Sequence, residues 1–241
     1  MQGQLFSQAF LSQGITESPA WHDLAVSELD AFRTTLHAIY AHVDASSTLN
    51  EAVTENTLIL PTLTLLGWED LNLPQVNSSA ARREDVPDQL LFLDDAAKQS
   101  ALRERREADY YKHGVAIIEA KRWRRQLDRG DSTDLLDPNT PSSQMLRYLS
   151  RVEVASDRAV RWGILTNGCV WRLYWQGARS RAEEFFEVDL GALLGVAGVQ
   201  AELDALSPEH GLNFLLAISS RGFSQARLGL AVAQFSRLCA G

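Results

Sequence analysis

The sequence is poor in several features that define common classes of protein. It has two cysteines, Cys169 and Cys239, too few for a disulfide framework or a cysteine metal cluster. Its five histidines are scattered, without metal-ligand spacing. No apolar run approaches the length of a membrane span, and the first residues, "MQGQLFSQAF", lack the basic and apolar regions of a signal peptide. These absences favour a cytoplasmic protein with no membrane partner.

Two further absences bear on function. The chain has no G-x-x-x-x-G-K-[ST] phosphate loop and no methyltransferase motif. Its net charge of −8 argues against a protein that coats nucleic acid. Positive charge is nevertheless clustered, notably at 122–125, so an enzyme that acts on nucleic acid through a local basic segment is compatible with this charge. With 241 residues, 45% of them hydrophobic, the chain is long enough to bury a substantial core.

The spacing of apolar residues predicts several helices. The predicted helices cover 22–43, 50–66, 96–112 and 142–156, and the pattern is again helical after about 189. For the second helix, Asn50 is the expected N-cap, Pro61 an expected kink and Gly67 the expected stop. Turn residues predict a loop at 126–141.

Strands are predicted between these helices. Short apolar or β-branched runs indicate strands in "VPDQLLFLDD", "GVAIIEAKRW" and "EEFFEVDL". Asn167-Gly168 joins two more, "RWGILTNG" and "CVWRLYWQG", as a hairpin whose aromatic residues are expected in the sheet core. This order of elements predicts a mixed α/β fold with a central, partly antiparallel sheet.

Residues with acid–base and metal-binding chemistry gather at the end of "GVAIIEAKRW". Glu119 and Lys121 are two positions apart in a strand, so they project from the same face, with Ala120 packing on the other. The predicted strand at 86–93 carries Asp88, and if the two strands are neighbours, Asp88 can meet Glu119 at one edge of the sheet. Two carboxylates and the Ala120 carbonyl are hard oxygen donors suited to Mg²⁺. A lysine there can position or deprotonate a water and stabilise charge on a phosphate.

These residues resemble the signature of a known family. Pro87-Asp88 followed by Glu119-Ala120-Lys121 is similar to the PD-(D/E)XK motif of the restriction endonuclease-like nucleases. The stretch "NEAVTENTLILPTLTLLGW" resembles the first helix of the nuclease domain in type I restriction subunits and in fused restriction–modification enzymes. That helix carries a glutamate facing the metal site, and Glu51 is the match.

Two later stretches extend the resemblance over about residues 49–190. "QMLRY" fits the Q-x-x-x-Y element of the same group, with Gln144 and Tyr148 four apart and hence on one helix face. "RWGILTNGCVWRLY" resembles the strand pair that follows it. The first residues resemble the beginning of type IIG and IIL enzymes, in which nuclease, methyltransferase and target-recognition domains share one polypeptide.

The resemblance implies a fold and a function. The implied fold is a restriction endonuclease-like mixed sheet flanked by helices, with an N-terminal helical extension at 1–48, a nuclease core at 49–190 and a C-terminal helical segment at 191–241. The implied function is a Mg²⁺-dependent endonuclease, with Mn²⁺ as a substitute, that cleaves unmodified double-stranded DNA and leaves a 5′-phosphate. A double-strand break needs two such sites, so dimerisation is one expectation. A further expectation is that the chain is part of a longer enzyme.

The resemblance also assigns roles to residues. Asp88, Glu119, the Ala120 carbonyl and Glu51, directly or through water, would hold the metal, and Lys121 would act on the attacking water. Gln144 and Tyr148 would support the site. The arginines that would contact the DNA backbone are Arg122, Arg124 and Arg125.

Other interpretations stay open at this stage. The chain could be the nuclease domain of an ATP-dependent type I or type III-like subunit, or a catalytically inactive DNA-binding module. Glu119 and Lys121 could form an exposed ion pair worth under about 1 kcal/mol, and Asp88 could be a turn residue. Glu51 could serve only the helix dipole, with Glu55 a weaker competitor for its role. The arginines and the Gln144–Tyr148 helix face could simply be solvated surface.

Overall fold

The fold was analysed in a computed structural model that describes residues 5–6, 26–74, 86–130 and 139–199. The α-helices are α1 (Val26–Tyr40), α2 (Glu51–Thr54, continuing through a π-helical turn, Glu55–Ile59, into Leu60–Leu65), α3 (Asp95–Arg103), α4 (Glu107–Tyr110), α5 (Pro141–Ala155) and α6 (Leu190–Leu193). The strands are β1 (Asn72–Pro74), β2 (Gln89–Leu91), β3 (Ala116–Ala120), β4 (Trp162–Thr166), β5 (Val170–Trp175) and β6 (Phe185–Asp189).

The strands form one mixed six-stranded sheet in the order β1-β2-β3-β4-β5-β6. Strands β3 and β4 are parallel, and the crossover between them contains α5. The other neighbouring pairs are antiparallel. The predicted α/β class and central mixed sheet are therefore confirmed. Strand β1 was not predicted, because three residues ending in a proline show no alternation to detect.

Helix α2 begins and ends as the sequence predicts. The Asn50 side chain accepts a hydrogen bond from the Val53 N–H, and Gly67 follows the helix with a φ of +82°. Near Pro61 the helix widens, because the Leu60 N–H bonds to the Glu55 carbonyl, five residues back. The expected disturbance from proline thus takes the form of a π-helical turn just before it.

Two apolar clusters cover the two faces of the sheet. One lies between the sheet and helices α1 and α2, and it includes Leu36, Leu58 and Ile118. The other lies under α5 and includes Ile117 and Leu149. Because strand residues alternate between faces, Glu119 projects from the α5 face, as Ile117 does. The predicted core aromatics Trp171 and Tyr174 are buried on opposite faces, and Trp175 is partly buried.

The remaining predicted elements differ only in detail. The helix expected at 96–112 is broken at 104–106 into α3 and α4, and it ends in a short 3₁₀ turn, Tyr111–His113. Helix α5 begins at a capping box between Thr140 and Ser143. Residues 131–138 of the predicted loop, 1–4 and 7–25 of the predicted N-terminal extension and 200–241 of the predicted C-terminal segment lie outside the described residues. None of the helices in the described ranges has the length and apolarity needed to cross a bilayer.

The β4–β5 turn packs closely against helices α1 and α2. Gly168 has a φ of +79°, and its carbonyl accepts a hydrogen bond from the Tyr40 hydroxyl at 2.6 Å. A Cβ at this position would lie 2.9 Å from Thr54 Cγ2 and 3.2 Å from Trp123 Cε3. The turn therefore needs glycine for two reasons, its backbone conformation and the close approach of α2.

We predict that Gly168→Ala costs about 2–4 kcal/mol of unfolding free energy, from left-handed strain plus steric overlap. Gly195→Ala is the matched control, because Gly195 has a φ of +63° and nothing within 4 Å of its added Cβ. The control should lose only about 1 kcal/mol. Urea denaturation of both variants tests this, and equal losses would show that the approach of α2 does not constrain the turn.

Candidate active site

Asp88 and Glu119 meet at one end of the β2–β3 pair. Gln89 pairs with Ile118 in the antiparallel register, and one step further places Asp88 opposite Glu119. Asp88 Oδ2 accepts a hydrogen bond from the Ala120 N–H at 2.7 Å. The predicted convergence of the two carboxylates is therefore present, and the backbone of β3 fixes the position of Asp88.

Lys121 contacts Glu119 directly. Its Nζ donates to Glu119 Oε1 at 2.5 Å. Glu119 is only 2% exposed, and its buried Oε2 has no hydrogen-bond partner among the described residues. Ala120 packs into the cluster on the opposite face. The pair is therefore not the exposed ion pair that the sequence alone left open, and one carboxylate oxygen is free to bind something else.

Helix α2 adds negative charge to this site. Glu51, its first residue, is exposed and acts electrostatically on Asp88, Glu119 and Lys121. Glu55, one turn later, is partly buried and accepts a hydrogen bond from Gln89 Nε2 at 3.0 Å. The sequence ranked Glu55 behind Glu51 and did not single out Gln89. The sequence signal that could have identified Gln89 is a polar residue at the start of an otherwise apolar strand.

Burial is the largest cause of the raised pKa values of the two carboxyl groups at this site, and repulsion among the acids adds to it. Burial raises the pKa of Asp88 to about 6, against the Ala120 N–H and Lys121, which lower it. Burial and the charge of Asp88 raise the pKa of Glu119 to about 8, against the lowering effect of Lys121. Burial lowers the pKa of Lys121, but the facing carboxylates, Glu119 above all, raise it further, so its net shift is upward. Added positive charge would relieve this repulsion.

Gln144 and Tyr148 lie on the helix that covers the same face of the sheet. The Gln144 side-chain amide donates to the Tyr148 hydroxyl at 2.5 Å. Tyr148 is buried in the apolar cluster that contains Ile117 and Leu165. Ile117 lies two residues before Glu119 in β3, and Leu165 is the residue of β4 that pairs with Glu119. The predicted pair therefore exists as one unit, and Tyr148 is mainly a packing residue with a polar end.

The arginines at 122–125 lie on a tightly anchored turn. The backbone N–H of Trp123 donates to Thr54 Oγ1 at 2.8 Å, and the Asn167 side chain donates to the Arg125 carbonyl at 2.8 Å. Arg124 has a φ of +53°, and its guanidinium donates to the Ala45 carbonyl at 3.2 Å. Arg122 and Arg124 are exposed. The turn thus presents positive charge directly after Lys121, although one Arg124 donor is already engaged.

The donor set fits a divalent cation in chemistry, though it is not a preformed cage. No group of three or more His, Cys, Asp or Glu side chains in the described ranges is arranged to hold a metal ion. Two carboxylates do converge, and the unpartnered Oε2 of Glu119 is a buried anionic oxygen. Such oxygens are ligands that Mg²⁺ prefers.

Comparison with family models, curated proteins and solved structures finds no match to this chain. Any functional assignment therefore depends on the site itself and on the sequence motifs.

We predict that Asp88→Asn stabilises the protein at pH 8 in EDTA by about 1–3 kcal/mol. Asp88 binds its proton more tightly folded than unfolded, so its ionisation destabilises the fold as pH rises from its ordinary pKa of 3.8 toward 6. The gain in unfolding free energy over the parent should reach its full value above pH 7 and should fall to about half of that value at pH 5. Urea denaturation across this range measures it.

The exposed Asp70 provides the control, because Asp70→Asn removes one carboxylate charge outside the site. The unfolding free energy of Asp70→Asn should differ little from that of the parent at pH 8 and at pH 5. A destabilised Asp88→Asn protein at pH 8 would contradict the inferred repulsion.

Proposed function

We propose that the chain is a Mg²⁺-dependent endonuclease module with a restriction endonuclease-like fold, which hydrolyses DNA phosphodiesters. The observation that carries this proposal is the convergence of Asp88, Glu119 and Lys121 at one sheet end, with an unpartnered carboxylate oxygen and a surplus of negative charge. Buried, strongly perturbed ionisable groups of this kind favour a functional site over a surface ion pair.

Each residue has a role in the proposed reaction. Asp88 and Glu119, with Glu51 and the Ala120 carbonyl as further oxygens, would hold Mg²⁺. When bound, Mg²⁺ supplies Lewis-acid stabilisation of the phosphate charge. The upward pKa shift of Lys121 favours a protonated lysine, which positions the attacking water and stabilises the phosphate rather than accepting a proton. The water oxygen bonds to phosphorus as the bond to the 3′ oxygen breaks; the water gives up a proton to solvent, the 3′ oxygen takes one from solvent, and a 5′-phosphate and a 3′-hydroxyl result.

The surroundings support a DNA substrate. The turn carrying Arg122, Arg124 and Arg125 follows Lys121 directly, where a phosphate backbone would pass. Gln144 and Tyr148 would support the site from α5. We assign the module to a restriction–modification enzyme of the IIG or IIL kind because its first residues resemble those chains. Double-stranded DNA, with methyltransferase and target-recognition domains in one polypeptide, are the corresponding proposed partners.

A catalytically inactive DNA-binding module is the second candidate. It is favoured by the direct contact of Lys121 with Glu119 and by the lack of a preformed metal cage in the described part of the chain. An active nuclease must open this contact, whereas a binding module would keep it. Cleavage assays distinguish the two.

We predict that the chain nicks supercoiled plasmid in Mg²⁺ or Mn²⁺, and that Asp88→Ala and Lys121→Ala each reduce the rate about 100-fold or more. The reason is that Asp88→Ala removes a proposed metal ligand, and Lys121→Ala removes the positive charge that would stabilise the phosphate. Gel electrophoresis over a time course measures the loss.

The matched control is Glu183→Ala. Glu183 is exposed between β5 and β6, at the hairpin end where Tyr174 pairs with Phe185, away from the end that continues toward the site. This variant should nick at the parental rate. Nicking that survives both site substitutions would refute the site, and DNA binding without nicking by the parent chain would support the inactive module.

A further inference from the structure

The turn that follows Lys121 places an arginine where glycine or asparagine is the usual residue. The Arg125 N–H donates to the Arg122 carbonyl at 3.0 Å, so residues 122–125 form a hydrogen-bonded β-turn. Arg124 is the third residue of this turn and has a φ of +53°. A side chain in this left-handed conformation crowds the neighbouring carbonyl oxygen. The turn therefore adopts a conformation that its own sequence disfavours, and contacts with other segments must impose it.

Trp123 provides the first of these contacts, from the side of helices α1 and α2. Its backbone N–H donates to Thr54 Oγ1 at 2.8 Å, and its indole Nε1–H donates to the Asp44 carbonyl at 2.9 Å. Trp123 is 6% exposed, and its ring centroid lies 6.3 Å from that of Tyr40. The backbone and the side chain of Trp123 are thus both fixed, which removes the freedom of the chain just before Arg124.

The β4–β5 turn holds the chain on the other side of Arg124. The Asn167 side chain donates to the Arg125 carbonyl at 2.8 Å, and the Asn167 carbonyl accepts from the Arg124 N–H at 3.3 Å. With Trp123 fixed before it and Arg125 fixed after it, Arg124 must reverse the chain within one residue. The left-handed conformation is the consequence of these anchors.

The same anchors present the Arg124 guanidinium to solvent. Arg124 is exposed, and its Nη1 donates to the Ala45 carbonyl at 3.2 Å, one residue after the Asp44 carbonyl that receives the Trp123 indole. A guanidinium carries five N–H donors, and only this one is engaged within the described part of the chain. The other donors of this positioned side chain can bind an anionic oxygen, and phosphate oxygens match a guanidinium well.

We propose that Trp123 is the positioning residue of the DNA-contacting turn, which holds the Arg124 guanidinium in place for the phosphate backbone of duplex DNA beside Lys121. This inference rests on the proposed nuclease function and deepens it, since it names the residue that orders the basic turn. A side chain that is ordered before binding loses less conformational entropy when it binds, so the anchors raise the affinity for DNA. Contacts of this kind carry no sequence information.

Fluorescence anisotropy with the whole chain and a labelled DNA duplex, in Ca²⁺ rather than Mg²⁺ to prevent cleavage, tests the role of Arg124. Arg124→Gly should raise the DNA dissociation constant about tenfold. The slope of its logarithm against the logarithm of salt concentration should fall by about one, because one phosphate contact is lost. The melting temperature should equal or exceed that of the parent, because glycine adopts the left-handed conformation without strain.

Arg158→Gly is the matched control. Arg158 is also an exposed arginine with a positive φ, +67°. It precedes β4, whereas Lys121 follows the opposite end of the β3–β4 pair, where Thr166 pairs with Ala120. The melting temperature of this variant should likewise not fall, and its affinity for the duplex should equal that of the parent.

Trp123→Phe tests the positioning role. It keeps a buried aromatic ring but removes the indole donor to the Asp44 carbonyl. If Trp123 acts through Arg124, this variant should weaken DNA binding by a smaller factor than Arg124→Gly, and it should add no further loss in an Arg124→Gly background. A purely structural tryptophan would lower the melting temperature and leave the affinity unchanged at a temperature where the variant is folded.

The outcomes separate this inference from the proposed function. Parental affinity in Trp123→Phe, or additive losses in the double variant, would overturn the positioning role. Parental affinity in Arg124→Gly, while the parent chain nicks plasmid and Asp88→Ala does not, would overturn the inference and leave the proposed function standing. If the parent chain neither binds the duplex nor nicks plasmid, the proposed function fails and the inference fails with it.

Discussion

The electrostatic imbalance at the end of the β2–β3 pair is the constraint on which the rest of the site depends. Asp88 and Glu119 are held together by strand register and by the Ala120 N–H, so they cannot separate without breaking the sheet. One lysine offsets them, and helix α2 adds further acid. Their repulsion opposes folding, so hydrophobic burial elsewhere must outweigh it. The two apolar clusters that cover the sheet provide that burial.

The turns and helices around Asp88 and Glu119 are held in place by hydrogen bonds between segments that are far apart in sequence. Thr54 accepts from the backbone of Trp123, so α2 holds the turn that follows Lys121. Tyr40 binds the carbonyl of Gly168, so α1 holds the β4–β5 turn, and Asn167 in turn holds Arg125. Three segments far apart in sequence thus converge behind the site. A rigid frame of this kind keeps like charges close when they would otherwise relax apart.

Features that depend on a short window of sequence were predictable, and features that depend on distant contacts were not. The N-cap at Asn50, the turn at Asn167-Gly168 and the strand that contains Glu119 follow from local periodicity and turn chemistry. The meeting of Asp88 with Glu119 was predictable once two strands were assumed to be neighbours. Strand β1 is too short to show a pattern.

Gln89 could not be recognised because its meaning depends on Glu55, 34 residues away in the chain. The same is true of Arg124, whose exposed charge is partly engaged by the Ala45 carbonyl. Pro61 signalled a disturbance in α2, but not that the helix would widen at the glutamate that faces Gln89.

A second charged cluster on the same face shows what a purely structural arrangement looks like. The register places Glu119 opposite Leu165, Leu165 opposite Arg172 and Arg172 opposite Glu187. Arg172 is only 5% exposed, and it donates to Asp128 through both terminal nitrogens, to Glu187 through Nε and to the Tyr174 hydroxyl.

There two acids face one arginine, and the arginine donates hydrogen bonds to both of them. Two strands away, Glu119 keeps an oxygen without a hydrogen-bond partner among the described residues. Because the same sheet can build an ion cluster in which every charged group has a partner, the unpartnered Glu119 oxygen is an observation in favour of the proposed cation site.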